Sequence, residues 1–244
     1  MDDITASAMA AVGLTALLAS AVAAVAGFGG AVILLPVLIW AFGVRDAIPI
    51  LTLAQLVGNG SRVWLNRADI DRRVVGWYSV GAVPLALLGG LLFSAAPLGW
   101  LTRGIGVFLI GVVAYRRLGR GRYPLLPARG FAAVGGGASL LSALVGSTGP
   151  VTAPFFLAYG LSKAAYIGTE AAATVVTHIF KLVAYGSTNL LSPRVLVAGL
   201  LAAPCMFIGS WLGKRIVDRL SERAFVVVIE IVMIGAGTML LVRG

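Results

Sequence analysis

Ala21-Val22-Ala23-Ala24-Val25 runs into Gly27-Phe28-Gly29-Gly30 and continues through Ala31–Leu35 and Pro36 to Phe42. An apolar segment is broken midway by glycines and restarted by a proline-bearing run. The pattern occurs a second time, where Ser139–Leu144 leads into Gly146-Ser147-Thr148-Gly149-Pro150 and then Pro154-Phe155-Phe156. Helices broken at matching places in two halves of a chain point to the binding site of a membrane transporter. Non-helical backbone is tolerated at membrane depth only where protein buries it or where it lines a wet cavity. The two breaks therefore predict both a class of protein and a place for its chemistry.

Composition agrees. Charged residues make up 11% of the chain and apolar ones 59%, with a mean hydropathy of +1.00. A soluble domain carries about 25% charged residues. Asp2 and Asp3 stand where a signal peptide has a basic region, and apolar segments continue along the whole chain, so no cleaved leader is expected. The net charge of +10 does not indicate nucleic acid, because the basic residues lie in short inter-helix loops and form no continuous patch. They read instead as positive-inside topology signals. Cys205 is the only cysteine, which excludes an intrachain disulfide and a CxxC redox motif. One histidine and nine carboxylates, mostly in loops or at termini, give no metal-ligand set. No metal and no cofactor is expected.

The apolar segments are Ile4–Val25, Ala31–Phe42, Ala47–Trp64, Val74–Phe93, Leu101–Tyr115, Phe131–Leu144, Val151–Tyr159, Ala164–Tyr185, Val195–Leu212 and Ala224–Val242. Ala31–Phe42 and Val151–Tyr159 are too short to span a bilayer at 1.5 Å per residue. Each is expected to complete a re-entrant or broken-helix hairpin with the segment before it. The halves correspond: Gly43-Val44-Arg45-Asp46-Ala47 with Gly160-Leu161-Ser162-Lys163-Ala164, Asn59-Gly60-Ser61-Arg62 with His178-Ile179-Phe180-Lys181, and Pro84 and Gly89 with Pro204 and Gly209. The expected fold is an all-α polytopic membrane domain of two inverted repeats, each a hairpin followed by three transmembrane helices. Repeat 1 covers 1–117, a cytoplasmic basic linker 118–129, and repeat 2 130–244.

Charge orients it. With the linker inside, the cytoplasmic segments hold Arg62, Arg67, Arg72, Arg73, Arg116, Arg117, Arg120, Arg122, Arg129, Lys163, Lys214, Arg215, Arg219 and Arg223. The outside holds Arg45, Arg103, Arg194 and Arg243, together with the acidic N-terminus, and Lys181 is left within a helix. If the broken segments crossed fully, the repeats would be parallel and this asymmetry would weaken.

A glycine-rich break followed by a proline, a polar helix end, a short basic loop and a Gly/Pro helix, all duplicated, resembles the sulfite exporter TauE/SafE family, also called the 4-toluene sulfonate uptake permease family. The resemblance runs from about Ser20 to Leu241. It implies a multi-pass carrier in the bacterial inner membrane for small sulfur-containing anions such as sulfite, sulfonates or sulfoacetate. The second break is richer in hydroxyls than the first, which suggests an asymmetric site.

The breaks leave backbone N–H groups unpaired and place half-helix N-termini near mid-membrane, where they attract anions. Gly27, Phe28, Gly29, Gly30, Gly146, Ser147, Thr148 and Gly149 are therefore candidate substrate-binding residues. Tight helix packing through small residues is the competing reading. Asn59 and His178 occupy matching positions, as do Arg62 and Lys181. A charge within a spanning segment tends to be functional, but both cations lie near segment ends, where snorkelling to the interface is the alternative. His178, titrating near neutrality when unperturbed, is a candidate proton carrier or a helix-packing hydrogen-bond partner. Gln55, Thr174 and Thr177 lie about a turn before these positions and can offer hydrogen bonds to sulfonate oxygens. Glu170 and Glu230 read as solvated helix-end carboxylates, with proton coupling as the lesser alternative.

Gly27-Phe28-Gly29-Gly30 lacks the Lys-Ser/Thr ending of a phosphate-binding loop, so ATP-driven transport by this chain alone is not expected. The partners expected are a small anion, the bilayer and, through His178, a proton; nucleic acid is not among them. An anion channel and an accessory protein without transport of its own are the alternatives. An intramembrane enzyme pairing Ser147 with His178 lacks a nucleophile elbow.

Overall fold

The computed structural model describes residues 6–26, 29–118 and 125–216, together with Ile234, Thr238, Leu241 and Val242 near the C-terminus. Gly27, Phe28, Asp2, Arg120, Glu230, most of the 118–129 linker and most of the Ala224–Val242 segment lie outside the described residues. The described elements are helical: α1 (Ala6–Ala26), α2 (Gly30–Leu65), α3 (Arg72–Ala95), α4 (Leu98–Leu118), a 3-10 turn (Ala128–Gly130), α5 (Phe131–Val145), α6 (Gly149–Ala158), α7 (Lys163–Ser187) and α8 (Pro193–Ile216). Local chemistry sets several of these ends. The Asp71 carboxylate accepts from the N–H groups of Arg73 and Val74 at the start of α3, and Ser162 accepts from Ala165 at the start of α7. Each satisfies donors that a helix N-terminus leaves free. Pro193 opens α8, where its missing N–H is harmless.

Ala31–Phe42 and Ala47–Trp64, expected as separate segments, are two helices that meet at a kink within α2. Gly43 absorbs the bend at φ 76° and ψ 165°, a left-handed conformation that only glycine adopts at little cost. Among the described residues, five helical stretches are long and apolar enough to cross a membrane: Gly30–Leu65, Arg72–Ala95, Ala128–Val145, Lys163–Ser187 and Pro193–Arg215.

The helices pack in exchanged pairs. α3 lies against α5 and α7, α8 lies against α1 and α2, and α2 lies against α7. Close approach depends on small residues, as is general between membrane helices. A Cβ on Gly89 would stand 2.9 Å from the Leu140 carbonyl of α5, and one on Gly209 of α8 would meet the Leu17 carbonyl of α1.

Polar contacts define the two ends of the bundle. At one end Lys214 Nζ donates to the Leu65 carbonyl at 2.6 Å, and the Asp71 N–H donates to Thr169 Oγ1 at 2.9 Å. At the other, Arg45 donates to the carbonyls of Phe93, Ser94 and Ala96 at 2.7, 2.9 and 3.0 Å. There Arg194 also stands 3.9 Å from Asp46. All five tryptophans are exposed. Trp64, Trp77 and Trp211 belong to the first end and Trp40 and Trp100 to the second, as in the aromatic belts of membrane proteins. Leu34, Leu35, Leu38, Ile48 and Leu51 of α2 form the centre of the main core. A smaller aromatic core of Tyr78, Phe131, Phe156 and Tyr166 lies beside the α5–α6 break.

Candidate functional site

Both helix breaks open on one cavity. Gly29, at φ 99°, is the N-cap of α2, and Gly146, at φ 88°, closes α5. Thr148 then caps α6, whose second residue is Pro150. The N-termini of α2 and α6 and the C-termini of α1 and α5 therefore meet around one shared space. Its walls come from Gly29, Gly30 and Ala31 at the first break, Gly146, Ser147, Thr148 and Gly149 at the second, Gln55, Asn59 and Arg62 on α2, and Thr174, Thr177 and His178 on α7. Ala23, Tyr78, Ser142 and Glu170 complete it.

The basic residues hold the ends of the broken helices. Arg62 Nη1 donates to the Ala23 carbonyl at 3.3 Å, in the last turn of α1. Lys181 Nζ donates to the Ser142 carbonyl at 3.0 Å and to Ser142 Oγ at 3.2 Å, in the last turn of α5. The last carbonyls of a helix have no intrahelical donor, and positive charge is favoured beside them. The two arrangements recur at one interval of 119 residues, which also separates Ala26 from Val145, Gly29 from Thr148, Gln55 from Thr174 and Asn59 from His178.

The two sides differ in charge. Arg62 Nη2 also donates to Asn59 Oδ1, and its Nη1 stands 3.5 Å from Glu170 Oε2. Thr174 Oγ1 donates to the other carboxylate oxygen at 3.1 Å. On the α5 side the partners are hydroxyls, with Ser139 Oγ and Thr177 Oγ1 2.7 Å apart. Two nitrogens lining the cavity, Gln55 Nε2 and His178 Nδ1, have no hydrogen-bond partner among the described residues. Their side chains are almost wholly buried, at 4% and 3% exposure. Buried polar atoms are nearly always paired, so these two are poised for a guest.

The model of the sulfite exporter TauE/SafE family matches residues 12–240. The chain belongs to the sulfite exporter TauE/SafE family. No curated protein and no solved structure matches it. As a TauE/SafE member with five candidate spans, it is a multi-pass membrane protein of a transporter family whose members export or take up sulfite and related sulfur anions.

Of the residues chosen in this TauE/SafE chain by sequence, Gly29, Gly30, Gly146, Ser147, Thr148, Gly149, Gln55, Asn59, Arg62, Thr174, Thr177 and His178 share the cavity. Gly27 and Phe28 lie outside the described residues. Lys181 stands one layer behind the wall and reaches it through Ser142. The snorkelling alternative is corrected for both cations. Arg62 is 4% exposed and Lys181 0%, because each side chain turns inward to a helix-end carbonyl rather than outward to water. Arg62 therefore leaves the cytoplasmic set of cations.

Glu170 is a second correction. Expected as a solvated helix-end carboxylate, it is 3% exposed and pairs with Arg62. Its signal was present, since Glu170, Thr174 and His178 recur at four-residue spacing and so share a helix face. Tyr78 and Ser142 were missed, and neither carries a sequence signal beyond polarity in an apolar run.

Proposed function

We propose that this chain is a secondary carrier of a small sulfur oxyanion, such as sulfite, a sulfonate or sulfoacetate, in the bacterial inner membrane. One observation supports it above others. Two half-helix N-termini, Arg62 and the unpartnered Gln55 Nε2 and His178 Nδ1 converge on a single cavity. Helix N-termini offer unpaired N–H donors and a favourable dipole to anions, and Arg62 adds a permanent charge with forked donors. The substrate oxygens are assigned to Gly29, Gly30, Gly146, Ser147, Thr148, Gly149, Gln55, Asn59, Arg62, Thr174, Thr177 and His178, with Lys181 holding the α5 end. Gly27 and Phe28 are assigned to the first break.

Transport proceeds by alternating access between two inverted repeats, 1–117 and 130–244, joined by a cytoplasmic linker at 118–129. The exchanged packing, α1 on α8 against α5 on α3 and α8 on α2 against α3 on α7, supports a two-fold relation between them. Cation placement supports the inverted sense. Arg67, Arg72, Arg73, Lys163, Lys214 and Arg215 fall at the Leu65 end, and Arg45, Arg103 and Arg194 at the opposite end. That is the positive-inside bias.

The first test is a thermal-shift series of the purified protein with sulfite, thiosulfate, sulfoacetate, taurine, sulfate and carboxylate anions. A ligand at about 100 times its dissociation constant adds roughly 2.7 kcal/mol of stability. Stabilisation by the sulfur oxyanions and their saturable flux into proteoliposomes are expected; indifference to every anion would overturn the reading. Labelling of cysteines placed at positions 2 and 120 from opposite membrane faces tests the inversion, and labelling from the same face would refute it.

A further inference from the structure

The cavity wall contains a built-in anion. Among the described residues, Glu170 is the one acidic side chain lining it. One carboxylate oxygen stands 3.5 Å from Arg62 Nη1, and the other accepts from Thr174 at 3.1 Å. Both side chains of the ion pair are at most 5% exposed. Such a pair is costly to bury and costlier to split, because removing one partner strands a charge away from water.

The surroundings leave Arg62 as the counter-charge. From α2 the group facing Glu170 is Arg62, and from α3 it is the Tyr78 hydroxyl on the same cavity wall. α1 contributes Ala23, which has no ionisable side chain, and the described parts of α5 and α6 contain no charged residue. On α7 itself, His178 lies two turns further along the wall and Lys181 is engaged with Ser142.

An oxyanion that binds in this cavity competes with Glu170 for the guanidinium. A sulfonate brings three acceptor oxygens and no donor, so it cannot satisfy the displaced carboxylate. The carboxylate then keeps only Thr174 and lies buried without a cation, a state relieved by binding one proton. Resting on the anion-carrier reading above, we propose that Glu170 is the coupling group of the transporter. A sulfur oxyanion takes over Arg62 as Glu170 binds a proton from the loading side, and the anion and proton leave together on the other side. The proton comes from water on one side and returns to water on the other, while the Arg62–Glu170 pair closes again behind it.

The linkage has a definite sign. If the loaded site holds one proton more than the empty site, anion affinity rises as pH falls, and anion binding draws a proton from solution by the reciprocal coupling. Methanesulfonate is the probe, because it stays fully ionised and any pH dependence belongs to the protein.

Two measurements on the wild-type protein come first: methanesulfonate affinity at about pH 5 and about pH 8, and proton uptake on binding in weakly buffered solution. We expect affinity about tenfold higher at the lower pH, within the usual range of site-to-site coupling, and net proton uptake. In Glu170→Gln, which keeps the side chain's shape, both signals disappear and accumulation driven by an inward proton gradient falls at least about tenfold. Wild-type binding that is independent of pH and takes up no proton would overturn the proposal without any variant. So would a pH dependence that persists in Glu170→Gln and vanishes in His178→Gln. Failure of wild type to bind any sulfur oxyanion at either pH would instead remove the carrier reading beneath it.

Discussion

The two helix breaks share a plan and differ in chemistry. At each, the first half-helix ends in a carbonyl held by a basic side chain from a long helix, Ala23 by Arg62 and Ser142 by Lys181. At each, the second half-helix starts from a glycine or threonine N-cap and turns its N-terminus toward the shared cavity. The first break sets its cation against a carboxylate of the other half of the chain. The second binds its amine to the carbonyl and hydroxyl of Ser142 and keeps it off the cavity wall. Two similarly built breaks thus carry one ion-paired, exchangeable side and one fixed side whose cation faces no carboxylate. Such an asymmetry suits a site that must both hold an anion and release it.

The strongest challenge to this comparison is Arg62→Gln. It leaves Glu170 buried without a counter-charge and is expected to destabilise the fold by about 3–5 kcal/mol. Adding Glu170→Gln should recover much of that loss, and unfolding of the four proteins in a double-mutant cycle measures it. No recovery would mean that the pair is not the unit described here.

Lys181→Gln is the next step down. It removes the donor to Ser142 without stranding a charge, so about 1–3 kcal/mol is expected. An equal loss at both cations would erase the distinction between the exchangeable and fixed sides.

Gly146→Ala should follow at about 1–2 kcal/mol, because its φ of 88° is unfavourable for an L side chain. The added methyl would also press on Leu51 at 3.2 Å. Gly160→Ala, at φ 91° with nothing near its Cβ, isolates the backbone part of that loss. Both are read as melting-temperature shifts.

Ser147→Ala is expected to do least to stability, within about 0.5 kcal/mol. It should nevertheless weaken methanesulfonate binding severalfold by titration, since its hydroxyl lies on the cavity wall. Unchanged binding would place the guest wholly on the first break.

The scaffold was legible where glycine and proline impose backbone geometry. Gly29-Gly30 and Gly146–Pro150 announced the breaks because apolar helices interrupted in this way must bury or wet their free backbone. Equal spacing to Asn59 and His178 placed the polar side chains on matching turns, and twelve of the chosen residues do share one cavity. What escaped was decided by tertiary packing. Arg62, three residues from the end of α2, has the sequence context of a snorkelling cation, but the end of α1 lies within its reach. Glu170 is near the start of α7, where water is the default, yet α2 and α3 cover it.

Whether both breaks frame one anion site is decided by a structure determined with a bromine-labelled sulfonate, such as 2-bromoethanesulfonate, located by its anomalous signal. One peak is expected in the cavity, with the sulfonate oxygens within hydrogen-bond distance of the N–H groups at Gly30 and Gly149 and of Arg62. A peak on one break alone, or on a surface that leaves Gln55 and His178 unpartnered, would contradict it.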